Sequence, residues 1–477
     1  MAAWPARWVV MLAVTYGMAA IGGLRLPIDP DIWWHLRTGT WIVEHRAVPF
    51  TDPFSIYGMG KPWIAYSWLF EMILLGLYRA FGLLGIVAFT ALGALGTTLA
   101  LHALVSRYEK NVPRALALTL VGTAAMTPVF WPRSYLLSIV LFIVELHILL
   151  SVRDSGNPRA LWILPPLVAL WANLHIQFVY GLFVLGVAAA APLLERYLPE
   201  AWVGPRSRIG ARPLFVTLLA SLVMALATPY HVWIYRPLLD HVTQAGTFDL
   251  ITELHALLFR GPADWCVLGM TLGAAFVLGR RRSLPPFQVF LLCAGAVVSF
   301  RAARDVWFVV VVSAAIIASA PKPAAIEYRL TARQLATALA LAASIALGFA
   351  LLRDLSPRML EAGIAKEFPV VAAAVVDERR YAGPLFNHYD WGGYLIWRLR
   401  DLPVSMDGRA NVYGPEKIKS SVNTWQGGRG WDADPELGRA GVVIASRQMP
   451  LAELLRRDGR FQLAYEDDVA AVFVARR

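Results

Sequence analysis

Hydrophobic residues in this chain fall in long unbroken runs, with neither the alternation of a half-buried strand nor the three-four spacing of a surface helix. Twelve such runs cover 8–24, 64–81, 83–105, 115–131, 134–151, 160–174, 177–193, 213–229, 263–279, 286–300, 304–320 and 333–352. Runs of roughly 17–25 apolar residues span a bilayer as helices. In lipid a helix is the form that pairs all its own amides. The pattern therefore predicts a mostly α, polytopic membrane bundle of about 11–13 transmembrane helices. The first run lacks a small-residue cleavage site and reads as a retained anchor. After residue 352 the pattern changes. Short β-like runs at 384–387, 404–407, 441–445, 461–465 and 469–474 alternate with helical stretches at 370–379, 415–426 and 451–458. That alternation predicts a small soluble α/β domain. The expected division is a membrane part, 1–352, and a soluble part, 353–477.

Composition agrees, with 57 % hydrophobic and 16 % charged residues and a mean hydropathy of +0.53. A net charge of +11 raises the question of nucleic acid. Its placement answers it: the cations cluster in short loops at Arg107, Lys110 and Arg114, across 196–212, at Arg280, Arg281 and Arg282, and across 322–333. This is the positive-inside signature of a membrane protein, and no nucleic-acid partner is expected. Cys266 and Cys293 lie in apolar runs, which argues against a disulfide framework or a cysteine metal site. With the basic loops cytoplasmic, the loops 25–63, 131–134, 174–177, 230–262 and 301–304 and the tail share the opposite face. One conflict arises. If 64–81 and 83–105 both cross, Arg107–Arg114 lands on the wrong side; either one segment within 64–131 is re-entrant or amphipathic or the run boundaries differ, and an odd total of 11 or 13 would reconcile the charges.

Candidate chemistry begins just after the first run, at Asp29-Pro30-Asp31-Ile32-Trp33-Trp34-His35-Leu36-Arg37. Tryptophan and arginine suit an interfacial belt, but two aspartates at the mouth of a span suit a functional site better. Residues 31–44 are expected as an amphipathic helix lying on the membrane, with Trp33, Trp34 and Trp41 toward lipid. Glu71, inside the second run, serves either a helix–helix hydrogen bond or function. The same face carries Arg133, then Asn173, His175 and Gln177, then the long loop 230–262 with Glu253 and His255, and then the Arg301–Arg304 hairpin. Two arginines in so tight a turn are costly unless an anion, phosphate or carboxylate, matches them. Polar groups converging on one face suggest a lined cavity.

In wording and order these motifs resemble the GT-C superfamily of membrane glycosyltransferases, and most of all the catalytic subunit of oligosaccharyltransferase. Asp31 through Arg37 is similar to that family's first-loop motif, whose Asp is the essential acid. Leu250-Ile251-Thr252-Glu253 looks like its later loop motif, and Arg301 or Arg304 sits where an arginine contacts the lipid-linked phosphate. Tyr389-Asp390-Trp391-Gly392-Gly393-Tyr394, followed by Met406-Asp407-Gly408-Arg409, is similar to the motifs of its soluble domain, in scrambled form. The acidic pair that binds a divalent cation in the family's second loop is missing from Trp131-Pro132-Arg133-Ser134. The resemblance therefore points to members that use single sugars on polyprenyl phosphate without metal; it implies no certain cofactor, with a divalent cation possible but doubted.

The activity implied is transfer of a sugar from a polyprenyl-phosphate-linked donor, with inversion, to an acceptor left open. Asp31 is the expected base, with Asp29 as second choice. Arg37, Arg301 and Arg304 are expected to hold the donor phosphate. His35, Asn173, His175, Glu253, His255, Asp390, Trp391 and Tyr394 are expected to shape the acceptor pocket. Membrane lipid is the other expected partner, and a bacterial inner membrane with a periplasmic site and soluble domain the expected place. The rivals are a transporter and a non-catalytic glycan-assembly scaffold of the same fold. A transporter predicts charges near the midplane and two matching halves, and no such symmetry is visible.

Overall fold

A computed structural model of the chain describes residues 2–204, 206–243, 252–281, 283–321 and 328–476. Leu250 and Ile251, half of the motif that ends in Glu253, lie outside the described residues. Every apolar run contains a helix. Among the described residues, seven have the length and composition of a membrane span: Ala6–Gly23, Leu83–Tyr108, Val112–Val129, Tyr135–Ser155, Phe178–Tyr197, Pro262–Arg280 and Ala332–Leu352. Shorter apolar helices occupy the other runs, among them Ala211–Met224, Pro286–Arg301 and Val306–Ala318. The chain divides into two compact units. One comprises Met1–Arg25, Val87–Val232 and Thr252–Leu355; the other comprises Leu26–Ile86, Trp233–Ile251 and Ser356–Arg477. Leu26–Ile86 thus groups with the C-terminal residues, which differs from a simple split at 352.

The first unit is a helical bundle with two polar ends. At one end Arg25 donates to the carbonyl oxygens of Gly22 and Thr127 (3.1 and 2.7 Å) and lies over the Trp131 ring. At the other end Arg107 and Tyr108 bond Asp154 Oδ2 at 2.9 and 2.7 Å, next to a buried Arg153–Glu195 pair. The chain therefore crosses the bundle once between residues 25 and 107. Helix Leu83–Tyr108, with 26 residues and a length of about 39 Å, accounts for that crossing alone. Helix Trp68–Phe81 has only 14 residues, about 21 Å against a hydrocarbon core of about 30 Å, and stops at Gly82, which holds a φ of 59°. Within the first unit this single crossing puts Arg107 at the end opposite Arg25, the side that its charge favours.

The first and last spans of this unit pack together. Leu12, Ala13 and Tyr16 share a buried cluster with Ala338 and Ala342, and Gln334 donates to the Trp4 carbonyl at 2.7 Å. Thr331 caps the last span and Gln334 bonds back to it, completing a reciprocal cap.

The second unit holds a four-stranded sheet. Its order is Leu385–Asn387, Val442–Ser446, Ala470–Ala475, Phe461–Glu466, the first pair parallel and the others antiparallel. Phe386, Val443, Leu451, Leu455, Phe473 and Trp425 fill its core. The stretch 404–407 is not a strand. Val404 pairs with the first loop, its carbonyl accepting from Ile56 N at 2.8 Å. The Asn387 side chain then takes the place of a ladder, accepting from Ser405 N at 2.9 Å and donating to Met406 O at 2.8 Å.

Helix Asp31–His45 forms as expected, but its orientation differs. Trp33 and Trp34 are buried inside this unit and do not face lipid. Trp33 meets Tyr394 and Phe368 edge-on at 5.1 and 5.8 Å. Trp34 lies against Gly393 of helix Tyr389–Arg398, where a Cβ would stand 2.6 Å from the Pro30 carbonyl oxygen. That bare position lets the two helices close on the indoles, and interior packing wins over the lipid interface.

Candidate functional site

The second unit builds its polar centre around Asp31. Asp29 is buried, and its Oδ1 accepts the Asp31 backbone N–H at 2.9 Å, which fixes the start of the helix. Asp31 is only half-buried. Its Oδ1 accepts the Trp34 indole N–H at 3.0 Å. Gly408 closes over the same oxygen: a Cβ there would lie 2.2 Å from Asp31 Oδ1. The Gly408 carbonyl accepts the Tyr389 hydroxyl at 3.0 Å.

Gly408 is flanked by a buried charge network that sequence reading left unassembled. Arg409 grips Asp407 with two parallel bonds, Nε to Oδ1 at 2.8 Å and Nη2 to Oδ2 at 2.6 Å, and donates Nη1 to Asp52 Oδ1 at 2.7 Å. Tyr413 donates to Asp407 Oδ2 at 2.7 Å and Ser55 to Asp52 Oδ2 at 2.5 Å. The guanidinium also lies over the Trp63 ring, 4.5 Å from its centroid. Burial would lower the Arg409 pKa, but Asp407 and Asp52 outweigh it and hold the guanidinium charged. Buried charges persist when paired and fully hydrogen-bonded in this way. Asp52 and Asp407 are thus neutralised by a side chain. With Arg133 standing in the loop where the oligosaccharyltransferase resemblance places its acidic pair, these residues do not fit a divalent cation, and no step is routed through one.

The other sequence candidates of this unit divide clearly. His35 is buried with Glu71, Nδ1 to Oε1 at 3.2 Å, which gives Glu71 its helix–helix role and keeps His35 within the packing. Arg37 pairs with Glu44 at 3.1 Å and lies over Phe54. Trp391 is buried and donates to the Glu367 carbonyl at 2.9 Å; Tyr394 is buried on Trp33. Asp390 is exposed in the first turn of its helix, 3.7 Å from His388.

In the first unit one carboxylate draws two arginines together. Glu253 meets Arg133 at 2.7 and 2.9 Å and Arg304 at 3.5 Å. Burial would raise the Glu253 carboxyl, but the Arg133 and Arg304 guanidiniums outweigh it and hold it below the ordinary carboxylate value. A carboxylate lowered in this way adds stability that is complete above the unfolded value of about 4.3 and is lost as pH falls through the lower folded value. For a partly exposed pair the amount is roughly 1 kcal/mol. Glu253→Gln should therefore lower the thermal midpoint at pH 7, and the gap from wild type should close as the buffer is brought below the carboxylate range.

Beside this cluster His175 bonds Ser138 Oγ through Nδ1 at 3.0 Å, and Trp171 donates to the same hydroxyl at 2.8 Å. Burial, with Arg304 and Arg133 nearby, pushes the His175 imidazole down to about 3, so it stays neutral at physiological pH. Asp305 accepts from Gln177 at 2.7 Å and Tyr180 at 3.0 Å. Asn173 donates to the Ala227 and Ala169 carbonyl oxygens, so its amide joins backbone segments. Arg301 and His255 are exposed, and the His255 carbonyl accepts Ala303 N at 2.9 Å. The loops 131–134, 174–177, 252–261 and 301–305 thus share one end of this unit, as the placement of charge implied.

No family profile and no curated protein matches the sequence. Solved structures do match. The crystal structure of ArnT from Cupriavidus metallidurans bound to undecaprenyl phosphate is 14 % identical, with a TM-score of 0.54 over 98 % of each chain. The same protein in the apo state is 15 % identical, with a TM-score of 0.41 over 98 % of this chain and 97 % of that one. The likeness to the lipid-bound structure shows that the chain shares its fold, a helical membrane bundle with a small α/β part.

Proposed function

We propose that this chain transfers a sugar from a polyprenyl-phosphate-linked donor to an acceptor hydroxyl or amine. The observation that carries the reading is Asp31: a half-buried carboxylate held by an indole and a bare glycine, in a chain with the fold of a protein solved with undecaprenyl phosphate bound. In the reaction Asp31 takes the acceptor proton while the acceptor atom bonds the anomeric carbon. The carbon–oxygen bond to phosphate breaks on the opposite face, so the configuration inverts, as it does where a single carboxylate acts as base. Polyprenyl phosphate leaves with its charge matched by guanidinium groups. Arg304 and Arg133 are the candidates for that task because one carboxylate already draws two guanidiniums together there, whereas Arg37 stands singly against Glu44; Arg301 lies at the same end of the first unit as Arg304. Asp31 and these arginines belong to different units, and each role is proposed from its own surroundings.

By the distribution of charge, the end of the first unit that carries Arg107, Arg153 and Arg281 is taken as cytoplasmic, which puts Glu253 and its arginines on the periplasmic side of a bacterial inner membrane. The test is purified protein in vesicles supplied with a polyprenyl-phosphate sugar. Release of polyprenyl phosphate is expected. Solute counterflow without release would replace this reading with a carrier, and folded protein that does neither would replace it with a scaffold. Arg304→Ala should cost about tenfold or more in turnover, since hydrogen bonds to charged groups contribute roughly 1.5–3 kcal/mol.

A further inference from the structure

We infer that Trp34 is a positioning residue that acts through Asp31, its indole N–H holding the carboxylate in the ionised form and in one rotamer against the bare face of Gly408. This rests on the role proposed for Asp31. The contact is an indole donor on Oδ1 at 3.0 Å, and the same oxygen lies where a Gly408 side chain would begin, at 2.2 Å. An indole can donate and cannot accept, so it bonds a carboxylate in preference to the hydroxyl of a carboxylic acid. Donation to the charged form favours that form.

Trp34 is itself immobile. It is buried, lies tilted against His35 at 3.6 Å between centroids, meets Trp63 edge-on at 6.4 Å and abuts Gly393. Gly408 is equally fixed. Its carbonyl holds the Tyr389 hydroxyl, and its neighbours Asp407 and Arg409 belong to the buried network with Asp52 and Tyr413. The aspartate thus stands between two rigid walls, one supplied by its own helix and one by a turn more than 370 residues later.

Several titratable groups surround it. Asp29 lies on its own turn, His35 and Glu71 pair behind Trp34, and the Arg409 network flanks Gly408. His388 and Asp390 sit at the start of the packed helix. All of these persist when Trp34 becomes phenylalanine, so a change in pH dependence between the two proteins reports the lost donor.

The experiment compares full-length wild type, Trp34→Phe, Gly408→Ala and Asp31→Asn in the polyprenyl phosphate release assay, across pH, with size-exclusion elution and circular dichroism to verify folding. For Trp34→Phe the acidic limb of the kcat profile should move up by about one pH unit, the worth of a hydrogen bond to a charged group. Its rate should recover at high pH and its KM should stay near wild type. Gly408→Ala should lose rate at every pH, because displacement is not reversed by ionisation. A Trp34→Phe profile that superimposes on wild type, or one uniformly depressed with no recovery, overturns the inference. The controls separate the two claims. If Asp31→Asn retains transfer, the base assignment itself fails; if Asp31→Asn is inactive and Trp34→Phe has the wild-type profile, only the present inference fails.

Discussion

Replacing Asp31 by asparagine should reduce transfer by about 10²–10⁴-fold, the usual contribution of a positioned general base, while the protein remains folded. Asparagine keeps an oxygen for the Trp34 indole and fits the space under Gly408, so the walls on either side of residue 31 are undisturbed. Only the ability to take a proton at neutral pH is removed. At 1.36 kcal/mol per decade the loss corresponds to roughly 3–5 kcal/mol of transition-state stabilisation. It should appear in kcat, because the donor's binding groups are untouched. Asp29→Asn should do much less to turnover, since the buried Asp29 carboxylate already serves the helix start by accepting the Asp31 amide. Single-turnover release of polyprenyl phosphate decides the matter. An Asp31→Asn protein that keeps more than about a tenth of wild-type rate, or an Asp29→Asn protein that falls further than Asp31→Asn, removes Asp31 from the role.

The largest loss of stability should follow Arg409→Met. Methionine fills much of the volume over Trp63 and Phe54 but leaves Asp407 and Asp52 buried with no cation between them. Breaking a buried ion pair from one side costs about 3–5 kcal/mol, because the surviving charge keeps its desolvation penalty without its partner. The loss should be visible as earlier unfolding of the second unit in denaturant and faster cleavage by protease after residue 356. Adding Asp407→Asn and Asp52→Asn to Arg409→Met should recover part of the loss, since removing all the charge also removes the penalty. A single variant as stable as wild type would mean that water enters the network and that the three groups are not sealed.

Much of the architecture was legible in the chain because bilayer physics leaves few choices. An apolar run of 20 residues has to be a helix, and arginines at loop ends say which ends lie together. The boundary that mattered most was set by a smaller signal. Run 64–81 has the composition of a span, but its helix begins only at Trp68 and is stopped by Gly82 after 14 residues. Trp33 and Trp34 were read as lipid-facing because composition does not distinguish a membrane interface from an aromatic interior. Gly393, more than 350 residues away, decides between them by letting a second helix approach.

The partners of Glu253 and of Asp52 were illegible for the same reason. Arg133 is 120 positions from Glu253, and Arg409 is 357 from Asp52. Neither spacing leaves a periodic trace, and only the fold brings the charges together. The strand expected at 404–407 and absent from the structure shows a different limit: an asparagine side chain can reproduce the bonds of a neighbouring strand, and alternation alone does not reveal it. Among the site candidates, Asp31 stood out because two acids at the end of an apolar run are expensive, whereas the contacts that Trp34 and Gly408 make with it leave no mark in the sequence.

The seam between Ala6–Gly23 and Ala332–Leu352 bears on how the protein is made. Helix Ala6–Gly23 leaves the ribosome some three hundred residues ahead of its mate, so during the synthesis of everything between them its cognate groove does not exist. Leu12 and Tyr16 must wait in lipid or beside a membrane chaperone until Ala338 and Ala342 are inserted. Packing of this seam is therefore completed only after elongation has passed Leu352, and a nascent chain arrested before Ala332 should leave Ala6–Gly23 open to cross-linking by neighbouring insertase.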